Sequence, residues 1–275
     1  LPNNGNGTAA AALPAFTLGT SSDFFDFIDI DGDRIADPTV WLAGSWSVRP
    51  SSRGFLETWT RSFGQAGDDP KQSGDFDGDG IDDLSLAVPG TVSTPPSLRL
   101  WSSAYGWTYQ LPLGAAGTAF VAAGFDYNGD ALTDALVQRD GGGGVGDLSI
   151  YNSGGSLLQN FTLGFASDLL CPGNYTGDFI GDITVSRTSG GNRVWETRDL
   201  GTGIVQPPVT FSVVGDFRVL GDYDGDGLFD HAVWRPSATP GASQFLMRPS
   251  TSTASTWTVA AGLSGDYPVA TSRVH

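Results

Sequence analysis

Five nine-residue segments hold most of the ligand-forming oxygen chemistry of this 275-residue chain. They read DIDGDRIAD from Asp29, DFDGDGIDD from Asp75, DYNGDALTD from Asp126, NYTGDFIGD from Asn174 and DYDGDGLFD from Asp222. Oxygen-bearing side chains stand at positions 1, 3, 5 and 9 of each segment, and position 4 is glycine in all five. The sets are Asp29, Asp31, Asp33 and Asp37; Asp75, Asp77, Asp79 and Asp83; Asp126, Asn128, Asp130 and Asp134; Asn174, Thr176, Asp178 and Asp182; and Asp222, Asp224, Asp226 and Asp230.

Alternate residues of a tight turn can converge on one point, and a glycine lets the backbone bend around it. Calcium is the cation that such a cage suits, because it takes six to eight oxygens at roughly 2.3–2.6 Å. The backbone carbonyl at position 7, offered by Ile35, Ile81, Leu132, Ile180 or Leu228, and a water would complete the shell, with the position-7 side chain anchoring the loop in the core. An EF-hand is excluded, since its twelfth position needs a glutamate and here holds Val40, Leu86, Val137, Val185 or Val233. The expectation is about one Ca2+ per repeat, with the Asn174 loop the weakest because Asn174 and Thr176 replace two carboxylates.

The elements that must hold these loops follow from their spacing. The starts lie 46, 51, 48 and 48 residues apart, the period of one four-stranded propeller blade. The similarity runs beyond the loops: FTLGTSSDFFDFIDIDGD from Phe16 aligns without a gap on FTLGFASDLLCPGNYTGD from Phe161. Runs rich in β-branched and aromatic residues enter the loop (FRVLGDY, from Phe217), leave it (HAVWR, from His231), and follow as SLRLW (from Ser97) and WTYQL (from Trp107). No stretch shows sustained helical periodicity with caps. The expected fold is all-β: a β-propeller of five four-stranded blades with extra terminal strands at Ala15–Leu18 and Asp266–Ser272, or six blades with one incomplete. Residues 1–14 read as a flexible flank and 15–275 as one propeller domain.

The loops and their flanks, such as GDYDGDGLFDHAVWRP and GDFDGDGIDDLSLAVP, resemble the FG-GAP/VCBS repeats of integrin-α-like propellers. That resemblance implies a calcium ion in the hairpin between strands one and two of each blade. It also implies a role in extracellular adhesion, in sugar binding or as an accessory domain of a secreted enzyme. Arg34, Asn128, Asn174 and Thr176 depart from the repeat's D-x-D-x-D-G-x-x-D form.

Seventeen of the 30 acidic residues occupy the ligand positions, so removing them takes the net charge from −16 to +1. The acidity therefore belongs to the loops and implies no basic partner. The 14 basic residues form no run or stripe, which argues against nucleic acid. No apolar run approaches the ~18 residues of a membrane span. Cys171 is the only cysteine and sits in an apolar stretch, as a buried thiol would.

Acid–base chemistry is thinly provided: His231 and His275 are the only histidines, and Glu57 and Glu196 have no partner at fixed spacing. Trp41, Trp101, Tyr151 and Trp234 recur in two strand registers and are candidates for stacking on a ligand such as a sugar ring, against the alternative of interblade core. Arg139, Arg187 and Arg235 recur together and read as interblade polar contacts. The expectation is a secreted or cell-surface calcium-stabilised binding or adhesion module, non-enzymatic, for a glycan or extracellular protein. The alternatives are a structural scaffold in a larger secreted assembly and a polysaccharide-active enzyme such as a lyase.

Overall fold

A computed structural model of the chain describes residues 16–20, 23–178, 180–250, 256–263, 266 and 268. Among these residues twenty strands form five four-stranded antiparallel sheets, each in simple sequential order. The first blade is β1 (Phe24–Ile28), β2 (Asp37–Leu42), β3 (Ser45–Val48) and β4 (Trp59–Ser62). The second is β5 (Asp69–Gly74), β6 (Asp83–Val88), β7 (Ser97–Trp101) and β8 (Thr108–Pro112). The third is β9 (Phe120–Phe125), β10 (Asp134–Asp140), β11 (Val145–Tyr151) and β12 (Leu157–Phe165). The fourth is β13 (Leu169–Leu170), β14 (Ile183–Ser189), β15 (Asn192–Arg198) and β16 (Val209–Val213). The fifth is β17 (Phe217–Arg218), β18 (His231–Arg235), β19 (Gln244–Arg248) and β20 (Trp257–Ala260). The arrangement is a five-bladed β-propeller.

Burial explains which runs became which strand. Strand two is buried nearly throughout, as in β6 and β10, whereas strand four alternates or is wholly exposed, as in β4. A strand covered on both faces reads as a continuous apolar run, and an outer strand does not. Apolar clusters seal four of the blade junctions. Ile28, Trp46, Leu84 and Trp101 join blades one and two, and Leu98, Leu100, Val121 and Val137 join two and three. Tyr127, Leu148, Ile183 and Leu200 join three and four, and Cys171, Trp195, Leu220 and Val233 join four and five. Each fully buried large side chain contributes roughly 1.5–3 kcal/mol. The fifth cluster, Val219, Ala232, Trp234 and Met247, lies within the fifth blade.

The strands read from sequence fall where expected at Ser97–Trp101 and His231–Arg235, and one residue later than expected at Thr108–Pro112. Strand one of the fifth blade is shorter than FRVLGDY: only Phe217–Arg218 pair as a strand, and the chain rejoins the ladder at an isolated bridge between Gly221 and Asp230. Of the expected terminal strands, Phe16–Leu18 carry no strand, and neither do Asp266 and Pro268. Ala15, the rest of the 266–272 segment, the 1–14 flank and His275 lie outside the described residues. The glycine run Gly141–Gly144 forms the hairpin tip between β10 and β11.

One repeated feature carries no motif that the sequence alone marks out. An aspartate stands six or seven residues before each of four loops, Asp23, Asp68, Asp168 and Asp216, and the last three close the connector from the preceding blade. Each carboxylate accepts the backbone N–H three residues earlier, from Thr20, Gln65, Phe165 and Val213. Asp266 does the same for Leu263. The recurring arginines meet these carboxylates. Arg187 contacts Asp168 at 3.0 Å, and Arg235 takes Asp216 with both Nε and Nη2 at 2.8 and 2.7 Å. Arg99 reaches Asp68 from strand three through Nη2 alone. Arg139, whose connector lacks the aspartate, donates to the carbonyls of Leu113 and Ala115. Glu196 is paired after all, at 2.8 Å from Arg187, and the exposed Glu57 lies 4.0 Å from Arg53.

Candidate metal centres

All five acidic loops connect strand one to strand two of their blade. Position 1 nucleates the turn. Asp29 accepts the N–H groups of Gly32, Asp33 and Arg34, and Asp75, Asp126 and Asp222 repeat the pattern onto residues three and five ahead. In the fourth loop Asn174 makes the first of these bonds, to Gly177. Position 4 is left-handed in every copy, with φ of 77, 86, 83, 88 and 82° at Gly32, Gly78, Gly129, Gly177 and Gly225. Only glycine adopts that region without cost. In four of the loops position 6 is left-handed too: Gly80 and Gly227 fill it freely, while Arg34 and Ala131 hold φ of 68° against a penalty of roughly 1–2 kcal/mol each. Phe179 of the fourth loop lies outside the described residues.

Position 9 is the buried post of each loop. Asp37, Asp83, Asp134, Asp182 and Asp230 are fully buried. One oxygen of each accepts the N–H of position 2, from Ile30, Phe76, Tyr127, Tyr175 and Tyr223. The other faces a backbone amide after strand three, from Ser51, Ser103, Leu200 and Ser250 in four copies, with Ser153 its counterpart beside Asp134. Burial pushes these carboxyls up, to about 6 for Asp37, Asp182 and Asp230 and about 7 for Asp83 and Asp134, against the backbone bonds that lower them.

The carboxylates at positions 1 and 3 are brought together with a third, from position 5 or 9, in three loops. Asp29, Asp31 and Asp33; Asp75, Asp77 and Asp83; and Asp222, Asp224 and Asp230 each offer three oxygens within 4.8 Å of one another. Of these, Asp31 Oδ1 and both oxygens of Asp77 are buried and have no partner, as is Asp79 Oδ2 beside the second cluster. Asp79 is raised above the usual carboxylate range by burial first, with the Asp77 and Asp75 charges adding to it. Buried anionic oxygens without a proton donor are costly. A hard divalent cation is the group whose chemistry fits this donor set.

Two loops differ. In the third, the Asn128 side-chain amide donates to Asp130 at 3.0 Å, and Asn128 Oδ1 in turn accepts the Asp130 N–H. In the fourth, Thr176 donates both its N–H and its hydroxyl to Asp182, at 2.9 and 3.0 Å. That loop thereby satisfies with protein donors what the first and second leave open.

The position-7 side chains do not go into the blade cores. Ile81, Leu132 and Leu228 lie over the glycine of the preceding loop, where a Cβ on Gly32, Gly78 or Gly177 would stand 3.1, 3.1 or 3.4 Å from them. Ile180 is half-buried, and Ile35 is 56% exposed. The expected core anchor is thus a loop-to-loop contact, because the hairpins stand at the blade ends where the next hairpin is the nearest apolar surface. Backbone bonds reinforce it. The position-1 carbonyls of Asp29, Asp75, Asp126 and Asn174 accept the position-8 N–H of the following loop, from Asp82, Thr133, Gly181 and Phe229, at 2.6–2.8 Å.

The four aromatic candidates for ligand stacking are buried instead: Trp41, Trp101, Tyr151 and Trp234 present no open ring face. Trp41 and Trp234 donate their indole N–H to the carbonyls of Phe63 and Ala261, and the Arg61 guanidinium lies over Trp101 at 4.3 Å. Propeller blades pack face to face, so a ring in a recurring inner register becomes core. His231 is buried with both ring nitrogens unpartnered, and desolvation and Arg248 push it down to about 4. Cys171 is buried beside Arg218, and burial raises its thiol.

No protein-family model matches the chain, and no curated protein sequence matches it significantly. Solved structures do. BBS1N, crystallised in complex with ARL6DN, superposes with a TM-score of 0.50 at 13% identity, over 86% of this chain and 67% of that one. The shared feature is the fold. The rhamnogalacturonan lyase YesW (TM-score 0.41, 14% identity, 83% and 60% covered) and the Dos1 propeller (0.41, 11%, 84% and 57%) also match. The chain therefore spans about two thirds or less of the length of each. No helix among the described residues is long and apolar enough to cross a membrane.

Proposed function

We propose that this propeller is a calcium-stabilised binding module of the FG-GAP/VCBS kind, acting at a cell surface or after secretion on a glycan or protein partner and performing no catalysis itself. The observation that carries the calcium part is the set of buried, unpartnered carboxylate oxygens on Asp31, Asp77 and Asp79 within loops that otherwise satisfy their polar groups. Positions 1, 3, 5 and 9 would hold the ion with the position-7 carbonyl, and bound calcium supplies the positive charge that these oxygens lack. A propeller built from loop-linked hairpins also suits a scaffold, because each ion would stiffen a loop that hydrogen-bonds the next.

The test is metal content and thermal unfolding of the purified chain in calcium and in EGTA. At least three ions per chain are expected, one for each of the three carboxylate clusters. For an ion at 100 times its dissociation constant, each site adds about 2.7 kcal/mol. A metal-free protein with the same transition in both buffers overturns the calcium reading. Turnover of a polysaccharide overturns the non-enzymatic one.

A further inference from the structure

The blade junctions follow one plan, and the last of them breaks it. On strand three of the second to fifth blades, the residue paired with position 10 of the repeat is Trp101, Tyr151, Arg198 and Arg248. Across the junction, strand four of the preceding blade offers Arg61, Leu111, Phe161 and Val209 at matching registers. Each of the first three junctions thus has one aromatic ring in this pair of places: Trp101 beneath Arg61, Tyr151 packed with Leu111, and Phe161 beneath Arg198 at 4.5 Å. The fourth has Val209 and Arg248, with no ring.

A cavity of about 370 Å3 occupies that junction, against about 110 Å3 at the equivalent place between the first two blades. It lies within the roughly 300–1,000 Å3 of small-molecule sites. Two further departures from the repeat converge on it. Position 10 is Pro38, Leu84, Ala135 and Ile183 in four blades and His231 in the fifth. Position 3 is an acid or its amide in four loops and Thr176 in the fourth. Both His231 and Thr176 line the cavity, as do Thr197, Gln206 and Ser250. His231 is 5% exposed and neither nitrogen has a partner, whereas its counterparts in the other blades have no polar side-chain atom to satisfy. Val209 and Pro207 make an aliphatic wall, with Pro207 exposed at the rim.

We infer that this junction is a ligand site for an uncharged, hydroxyl-rich ring the size of one sugar unit. Hydroxyls both donate and accept, which suits the unpartnered His231 imidazole and the Gln206 amide. The Thr176, Thr197 and Ser250 hydroxyls, already bonded to Asp182, Thr184 and the Phe229 carbonyl, keep lone pairs to accept with, and the C–H face of a saturated ring suits the Val209–Pro207 wall. No carboxylate or guanidinium lines the cavity; Asp182 sits behind Thr176 and Arg248 pairs with His231 across the strands, so neither an anion nor a cation finds a direct counter-charge and an uncharged ligand fits best. The inference deepens the binding-module reading and rests on it for purpose; of the lining residues only Thr176 stands at a loop ligand position, and its hydroxyl is bonded to Asp182.

Two variants restore the repeat pattern: Val209→Phe supplies the missing ring and His231→Leu the apolar residue of the second blade. Saturation-transfer NMR with methyl mannoside, methyl galactoside and N-acetylglucosamine as probes, and glucuronate as the charged control, reads the site in calcium and in EGTA. At least one neutral probe is expected to bind. Each variant is expected to weaken it by about tenfold or more while melting no lower than the parent. No transfer to any neutral probe from the folded parent overturns the inference, as does transfer that survives both variants or favours glucuronate. If Val209→Phe does not fold, His231→Leu decides alone. Probe binding with no calcium effect on melting would retain this site and remove the calcium reading; the reverse pair of results would do the opposite.

Discussion

The second and fourth loops share a backbone and differ in what fills it. Both place a buried aspartate at position 9 under the amide of position 2, Asp83 beneath Phe76 and Asp182 beneath Tyr175, and both give the position-1 carbonyl to the next hairpin. In the second, Asp77 has both oxygens buried and unpartnered. In the fourth, Thr176 stands in the same place and clasps Asp182 with two hydrogen bonds. The turn therefore does not need a carboxylate at position 3. The acid there is surplus to folding, and a surplus buried charge is a reason to look for a ligand rather than a structural requirement.

The largest effect should come from what the two loops share. Asp182→Ala strips the acceptor from the amides of Tyr175, Thr176 and Leu200 and from the Thr176 hydroxyl. Leaving buried amides unpaired is expected to cost about 3 kcal/mol or more in total, equally in calcium and EGTA, by chemical denaturation. A loss seen only in calcium would show that position 9 serves the ion and not the turn.

Next comes the residue in which they differ. Asp77→Thr imports the fourth loop's solution into the second. In EGTA it should leave stability unchanged or raise it, because it removes a charge beside Asp75 and Asp79. In calcium it should remove most of one site's contribution, about 2–3 kcal/mol at saturating ion. Equal effects in the two buffers would dissolve the distinction between the loops.

Proton binding gives a third and smaller handle. Burial raises Asp26 to about 7, and it raises the position-9 carboxyls in the same direction. A carboxyl whose folded value exceeds its unfolded one binds its proton better when folded. Its contribution is full below about pH 4 and is lost as pH rises through about 7. The chain in EGTA should thus lose stability between about pH 5 and 8, and Asp26→Asn should flatten part of that slope, on the order of 1 kcal/mol. A slope of the opposite sign in EGTA would contradict these burials.

The same two loops show what could be read in advance. Five aspartate loops at one period gave the five blades, because repetition and strand alternation are local signals. The departures at Asn174 and Thr176 were visible as letters. That Thr176 would satisfy Asp182 was not, since the hydrogen bonds depend on the packed turn. The position-7 side chains were placed in the core because an apolar residue usually seeks it, and sequence cannot show that the neighbouring hairpin lies nearer. The rings of Trp41, Trp101, Tyr151 and Trp234 posed the same difficulty in reverse: a recurring aromatic register is equally a core and a binding platform until the blades are packed. The cavity beside His231 was legible only afterwards, through residues facing each other across strands roughly fifty positions apart in the chain.

Thr176→Asp is the finest test, because it asks the fourth loop to become the second. The variant exchanges a hydroxyl that donates to Asp182 for a carboxylate that repels it. In EGTA it should therefore lose about 1 kcal/mol. With calcium the added acid stands to Asp182 as Asp77 stands to Asp83 in the second loop, and the loss should be recovered, with calcium stoichiometry rising relative to the parent. Position 1 remains Asn174, so affinity should stay below that of the all-carboxylate loops, and Asn174→Asp in the same chain should tighten it. If Thr176→Asp is destabilised equally with and without calcium, the carboxylate at position 3 is not what makes a loop of this propeller a cation site, and the contrast between the second and fourth loops has another origin.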